Sequence, residues 1–271
     1  MTAPEEASST RRTDAIGQVH TVSADAPRIV SLVPSLTELL CDLGLARYLV
    51  GRTGFCIHPA GSVKTIAKIG GTKDLNIEKI RRLAPTHLLV NIDENEKPAV
   101  DQLAQFIPHI IVTHPLVVRD NLALYRLLGG IFRAEARAEQ LCAEFDSAYD
   151  QIVPALPARR VLYCIWKDPW MTVSADTYIA NMLALIGWKT WVSPSSSQRY
   201  PVFEWNDGVL AQVDTILLSS EPYRFTREQA LALEQQLGKP VQLVDGEMMS
   251  WYGSRAIAGL KYLQSLSLQT R

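Results

Sequence analysis

The stretch Asp245-Gly246-Glu247-Met248-Met249-Ser250-Trp251-Tyr252-Gly253-Ser254-Arg255 decides how this chain is read. Before it, Pro240 to Val244 is a short apolar run with strand character. After it, Ile257, Leu260, Lys261 and Leu263 fall at helical spacing. Strand, loop and helix in that order belong to a parallel βαβ unit. In open parallel sheets, ligands sit at the carboxyl ends of strands, on loops of this kind. A loop that only connects is short and rich in Gly, Asn, Ser or Pro. Here two carboxylates, two aromatics and an arginine share one loop, a composition suited to gripping something flat or cationic. The competing reading is a structural loop whose Trp251 caps the core.

The same alternation runs back through the chain. Ile29 to Val33 reads as a buried strand. Ser35 and Glu38 have the spacing of a capping box for a helix carrying Leu39, Leu40 and Leu43 and stopping at Gly44. Tyr48 to Val50 is a short strand. Asn76 can cap a helix holding Ile77, Ile80 and Leu83. A strand at His87 to Ile92, an acidic loop at Asp93 to Glu96, a helix through Val100 and Leu103, and a strand at His109 to Thr113 follow. In the middle, a helix from Asn121 to Leu128 is expected to break at Gly129-Gly130. A long helix is then expected from about Ala134 to Ile152, with Ala138, Leu141, Phe145, Ala148 and Ile152 on its apolar face.

The alternation then resumes. Strands are expected at Val161 to Trp166, Trp188 to Val192, Thr215 to Ser219 and Val241 to Val244. Helices are expected at Tyr178 to Ile186, after Asn206, at Glu228 to Leu237, and from the quoted loop to about Leu266. Lys167 to Val173 and the Ser-rich Pro194 to Pro201 read as loops. The fold expected is α/β, two Rossmann-like α/β lobes joined by one long backbone helix, with a ligand between the lobes. Residues 1–26 are expected to be a disordered tail, 27–117 the first lobe, 118–157 a helical linker including the backbone helix, and 158–271 the second lobe.

Composition removes several classes of function. The 271 residues carry a formal net charge of −1 with no sustained basic run, so the electrostatic footprint for nucleic acid is missing. Apolar residues make up 47%, enough for a full core, yet no segment is long and apolar enough to insert in a membrane. Cys41, Cys56, Cys142 and Cys164 form no CxxC pair and read as reduced, buried thiols. Residues 1–27 lack the apolar core of a signal peptide, so a cytoplasmic protein is expected, with a periplasmic one as the alternative. No G-x-S-x-G, P-loop, G-x-G-x-x-G or H-E-x-x-H is present, so no catalytic residue is assigned and the chain is read as a binding protein rather than an enzyme.

The run Arg28-Ile29-Val30-Ser31-Leu32-Val33-Pro34-Ser35-Leu36-Thr37-Glu38 resembles the opening of the mature helical-backbone (class III) substrate-binding proteins of ABC importers for vitamin B12, ferric siderophores and haem. The resemblance spans roughly residues 27–266. Phe55-Cys56-Ile57-His58-Pro59, Gly70-Gly71-Thr72-Lys73, Arg199-Tyr200-Pro201, Ser219-Ser220-Glu221-Pro222 and Trp251-Tyr252-Gly253-Ser254-Arg255 are further similar to the subgroup called helical backbone metal receptors. The resemblance implies non-catalytic binding of a metal-containing or cofactor-like ligand in the interlobe cleft. A corrinoid, a ferric chelate and haem all stay open as the bound group. Thr72 and Asn91 stand where the B12 binders carry aromatics. The alternative is a cytosolic enzyme, or a carrier or sensor of a metal cofactor, using the same cleft.

The ligand-binding residues expected are Phe55, Cys56, His58, Thr72, Lys73, Glu94, Trp166, Trp170, Tyr200, Glu221, Glu247 and Trp251. All lie on loops at or near the carboxyl ends of expected strands. Cys56 and His58, two apart, would face one side of an extended segment, which suits a borderline metal, but a structural metal site needs about four ligands. A partly buried Cys beside a loop His is therefore the plainer reading. Trp166 and Trp170 could cover a planar ligand or plug the second lobe. Glu78 and Asp207 each sit in the first turn of a short helix behind an Asn, where an acid stabilises the free N–H groups. The family resemblance gives them a second meaning, an acid on each lobe that docks an ABC permease if the protein is exported.

Overall fold

The computed structural model describes residues 12–23, 26–71, 74–194 and 196–269. The chain divides into two compact units. The first comprises Met1–Pro115, Arg119–Phe145 and Tyr252–Ser254, and the second Leu116–Val118, Asp146–Trp251 and Arg255–Arg271. Residues 118–157, expected as a helical linker, fall partly in each unit.

In the first unit the elements run β1 (Ile29–Ser31), α1 (Pro34–Asp42), β2 (Leu49–Arg52), α2 (Ala60–Val63), β3 (Ala67–Lys68), α3 (Ile77–Arg82), β4 (His87–Asn91), α4 (Lys97–Ala104) and β5 (His109–Thr113). Helix α5 (Asp120–Phe132) follows, and α6 (Glu135–Tyr149) begins in this unit. The strands form one parallel sheet in the order β3-β2-β1-β4-β5. Val30, Leu32, Ile69, Ile80, Leu88, Val90, Leu103 and Ile107 make a buried core against one of its faces. A parallel sheet covered on both faces requires near-continuous apolar strands, which is why His87-Leu88-Leu89-Val90-Asn91 is buried throughout.

The second unit contains β6 (Arg160–Trp166), β7 (Met171–Thr172), α7 (Tyr178–Leu185), β8 (Lys189–Thr190), α8 (Asp207–Leu210), β9 (Thr215–Ser219), α9 (Arg227–Leu237), β10 (Val241–Val244), α10 (Gly246–Ser250) and α11 (Arg255–Gln269). Its sheet runs β10-β9-β6-β7, with β8 also paired to β6. All its pairings are parallel except β6 with β7. With β8 counted beside β6, the parallel strands repeat the order of the first unit's β2-β1-β4-β5. Each sheet therefore gathers the carboxyl ends of its parallel strands along one of its own edges.

Several local expectations are corrected. The Ser35/Glu38 capping box does not form, because the helix starts earlier. Val33 is the N-cap and Pro34 occupies the first turn, where its missing N–H costs nothing. Helix α5 runs through Gly129-Gly130 and ends on Arg133 in the left-handed conformation. The loop after β6 contains β7, the strand expected at Trp188 to Val192 shortens to Lys189–Thr190, and the quoted loop contains α10, whose N-cap Asp245 accepts from the Met248 N–H at 3.2 Å. The two Asn caps form as expected: Asn76 Oδ1 accepts from Lys79 N–H at 2.8 Å and Asn206 Oδ1 from Val209 N–H at 3.0 Å.

Residues 12–23, expected as part of a loose tail, are instead held against the open edge of β5. Ala15 N–H donates to the Val112 carbonyl at 2.9 Å, and Val112 N–H donates to Asp14 Oδ2 at 3.1 Å. Asp14 Oδ1 takes the N–H groups of Ile16 and Gln18, its Oδ2 meets His20 Nε2 at 3.0 Å, and Ser23 N–H reaches the Ile131 carbonyl at 2.8 Å. An edge strand's free backbone groups need a cover, and this segment supplies one.

Tyr252–Ser254 is similarly anchored inside the first unit. Asn121 Oδ1 accepts from Gly253 N–H at 2.6 Å, and the Tyr125 hydroxyl donates to the Gly253 carbonyl at 2.8 Å. Gly253 has φ +80 and lies so near Ser35 that a β-carbon would stand 3.1 Å from its carbonyl oxygen, so the position needs glycine on both counts.

Candidate functional site

On the first unit, the loop after β2 carries Phe55, 61% exposed, with its ring close to Gly71. Gly54 N–H donates to the Gly70 carbonyl at 2.7 Å, which ties this loop to the one after β3. Thr72 and Lys73, expected on that second loop, lie outside the described residues. His58 is half-buried. Cys56 is fully buried, and its sulfur lies 3.1 Å from both the Thr37 and the Thr53 hydroxyls. Burial pushes this thiol up, against the pull of those hydroxyls. Cys56 is therefore a structural thiol and is withdrawn as a ligand contact. No group of three or more His, Cys, Asp or Glu among the described residues could hold a metal ion.

The loop after β4 is a tight turn. Asn91 N–H donates to Asn95 Oδ1 at 3.0 Å and Asp93 N–H to Asn91 Oδ1 at 2.8 Å. It presents Glu94, half-buried, whose Oε1 accepts from the buried Tyr252 hydroxyl at 2.7 Å. Burial first, then the Glu94 carboxylate, raises the Tyr252 phenol well above its usual value, so Tyr252 is a fixed donor.

On the second unit, three loops converge. Glu221, two residues past β9, accepts from the Ser250 hydroxyl at 2.7 Å and from the Trp251 side chain. Burial and the nearby Glu247 carboxylate push the Glu221 carboxyl upward, partly offset by those two donors. Glu247 pairs with Arg255 at 3.2 Å, and the Arg255 guanidinium lies 4.9 Å from the centre of the Trp251 ring. The structure thus brings Glu221, Glu247 and Trp251 together. Trp251 itself is only 8% exposed, so it supports this cluster rather than walling a ligand.

The tryptophans after β6 separate in role. Trp166 stays 39% exposed, edge-on to Tyr223 at 5.6 Å. Trp170 stacks on Phe225 at 5.7 Å and meets Trp205 at 5.2 Å, packed against the core of this unit. It packs as an apolar plug of this unit while staying partly exposed. Tyr200 is half-buried, with the Arg199 guanidinium 5.9 Å from its ring centre. Sequence reasoning missed Tyr223, Ser250, Tyr252 and Arg255. Three of these stand in the quoted segment, and Tyr223 follows Glu221 by two. Their roles depend on which way each side chain turns, which spacing alone does not give.

Glu78 and Asp207 are both exposed in the first turns of α3 and α8. No helix among the described residues is long and apolar enough to cross a membrane.

Two parallel α/β units with carboxylates and aromatics on their carboxyl-end loops are built as an α/β ligand-binding protein. The chain belongs to the periplasmic binding protein family, whose sequence model matches residues 29–237. It is 22% identical over 243 residues to a vitamin B12-binding protein of Pectobacterium carotovorum subsp. carotovorum (strain PC1), covering 88% of this chain and 87% of that one. Among solved structures, its fold is similar to that of the periplasmic vitamin B12 binding protein BtuF of Vibrio cholerae, with TM-score 0.72, 18% identity, and coverage of 90% of this chain and 98% of that chain. It is also similar to S. aureus IsdE complexed with heme, with TM-score 0.73, 18% identity, and coverage of 89% and 98%. The expected cytoplasmic setting, which rested on the polar residues 1–27, finds no support in a periplasmic family.

Proposed function

We propose that this protein is the substrate-binding component of an ABC importer, working outside the cytoplasmic membrane. It takes a flat metal-containing or cofactor-like ligand of the corrinoid, ferric-chelate or haem type and releases it unchanged. The observation that carries this reading is Trp166, a large aromatic left 39% exposed beside Tyr223, on the same strand ends as the Glu221–Ser250 and Glu247–Arg255 pairs. An exposed ring beside oriented polar groups is how a protein holds a planar ligand with a polar rim. Phe55, His58 and Glu94 are the contacts proposed on the first unit, with Thr72 and Lys73 proposed from sequence alone. Tyr200 joins Trp166, Glu221 and Glu247 on the second.

Glu78 and Asp207 are assigned to docking on the permease. Each is exposed at a helix start of the same design, an Asn cap followed by an acid. The ligand reading is tested by incubating the protein separately with hydroxocobalamin, hemin and a ferric hydroxamate, then recording absorption spectra after gel filtration. One chromophore is expected to co-elute with the protein at equal stoichiometry and to come off intact on denaturation. Co-elution of none of the three, or recovery of an altered chromophore, would overturn it.

A further inference from the structure

We propose that Glu221 sets the chemistry of the ligand's rim: the edge turned toward it carries hydrogen-bond donors, amide or ammonium N–H groups, and not carboxylates. This rests on the planar-ligand reading above and gives it a ligand class. The loop after β9 is tied to the end of β6, where Tyr223 N–H donates to the Ile165 carbonyl at 3.3 Å and the Tyr223 ring meets that of Trp166. Glu221 stands two residues before Tyr223, so this loop brings its carboxylate to the strand ends that carry the exposed Trp166 ring. The carboxylate is fixed from behind. Glu221 N–H donates to Ser219 Oγ at 3.3 Å, and Gly246 N–H to Ser220 Oγ at 2.8 Å. A β-carbon on Gly246 would stand 2.5 Å from Glu221 Cγ, so glycine is what lets the start of α10 pack against this side chain. The end of the same helix supplies the two donors, the Ser250 hydroxyl at 2.7 Å and the Trp251 side chain.

Both donors are neutral. An amide oxygen would accept from them as well, so they do not account for a charge at this position. No cation among the described residues pairs with Glu221. Arg255 is committed to Glu247 and lies over Trp251 with its side chain 12% exposed, while Lys167 and Arg224 stand on the same loops without pairing with Glu221. Burial first, then Glu247, push the Glu221 carboxyl upward against the pull of its two donors, so the ion is destabilised where it stands. A charged acceptor kept in such a place belongs to a functional site more than to a core. Two of its roughly four lone-pair sites are taken, which leaves room for donors from outside. A ligand N–H would complete the ion with a charge-assisted bond. A ligand carboxylate in the same place would set like charges side by side, and Arg255 cannot relieve this while it holds Glu247.

The test compares matched ligands that differ only in their rim, with affinities read from tryptophan fluorescence near neutral pH. The pairs are cobinamide against cobyrinic acid, whose rim amides are carboxylates, hemin with both propionates amidated against hemin, and ferrioxamine B, with its ammonium tail, against the N-succinyl derivative. In whichever pair binds, the donor-bearing member is expected to bind more tightly by roughly tenfold or more. Glu221→Gln is expected to erase most of that ratio while melting no lower than the wild type, so that lost discrimination is not lost folding. Should the variant fold poorly, the wild-type comparison decides by itself. A carboxylate-bearing member that binds the wild type equally or more tightly would overturn the inference and leave the planar-ligand reading standing. An undiminished ratio in folded Glu221→Gln would overturn it too. Binding of no member of any pair would overturn the planar-ligand reading itself, and this inference with it.

Discussion

Gly129 of α5 and Ala138 of α6 lie so close that a β-carbon on the glycine would stand 2.6 Å from that of the alanine. Real β-carbons do not approach so closely, so the contact fixes how the two helices pack. In an open helix, Gly→Ala stabilises by about 1 kcal/mol. Here overpacking opposes it, typically at 1–3 kcal/mol. Gly129→Ala is expected to lower the urea midpoint, and adding Ala138→Gly to restore most of it. Gly130→Ala meets only the Arg12 side chain, at 3.2 Å, and is expected to be neutral or mildly stabilising.

Tyr252→Phe removes the donor to Glu94 and leaves the ring in place. The loss of one hydrogen bond to a charged acceptor is expected to cost roughly 1.5–3 kcal/mol, read from the urea midpoint. Spectrophotometric titration of the native protein should show at least two phenols fewer ionising near pH 10 than the unfolded chain, because burial holds both Tyr163 and Tyr252 neutral, and Tyr252→Phe should narrow that difference by one.

Glu221 carries its charge at a cost, since burial and Glu247 both raise its pKa from 4.5. A carboxyl raised in the folded state adds stability below its unfolded pKa and loses it as pH climbs through the folded value. Glu221→Gln keeps an acceptor for Ser250 and Trp251 while removing the charge. The variant is expected to melt above the wild type at pH 7, with the gap closing near pH 4.

Trp166 and Trp251 should separate binding from folding. Trp251→Ala empties a site that is 8% exposed and is expected to cost about 3–5 kcal/mol. Trp166→Ala, at a ring 39% exposed, is expected to change stability by less than about 1 kcal/mol. It should weaken retention of whichever of the three chromophores binds. A Trp166→Ala protein that binds as tightly as the wild type would remove this ring from the site.

Strands β5, β9 and β10 fall on the residues their apolar runs mark, because strands of a parallel sheet are apolar along their length, fully buried in β9 and half-buried at the sheet ends in β5 and β10. The Asn76 and Asn206 caps were legible because a cap bonds only three residues ahead. The cover that residues 12–23 place on β5 was not legible, because its anchor joins Asp14 to Val112 across 98 residues and has no period to betray it. Gly129-Gly130 read as a break because spacing cannot distinguish a flexible glycine from one that admits a neighbouring helix. Cys56, Trp170 and Trp251 were placed on the right loops, but loop position does not say how deep a side chain sits. Glu221 and Glu247 were found as acids at strand ends, whereas their partners Ser250 and Arg255 needed coordinates.

Tyr252–Ser254 returns to the first unit more than a hundred residues after Phe145, and the fully buried Asn121 and Tyr125 side chains both bond to it. A gene truncated anywhere between the two would encode a first half stripped of its own keystone. The halves of this protein are consequently a poor choice for split reporters or for expression as separate pieces, and any shuffling of one half between relatives must carry this tripeptide with it.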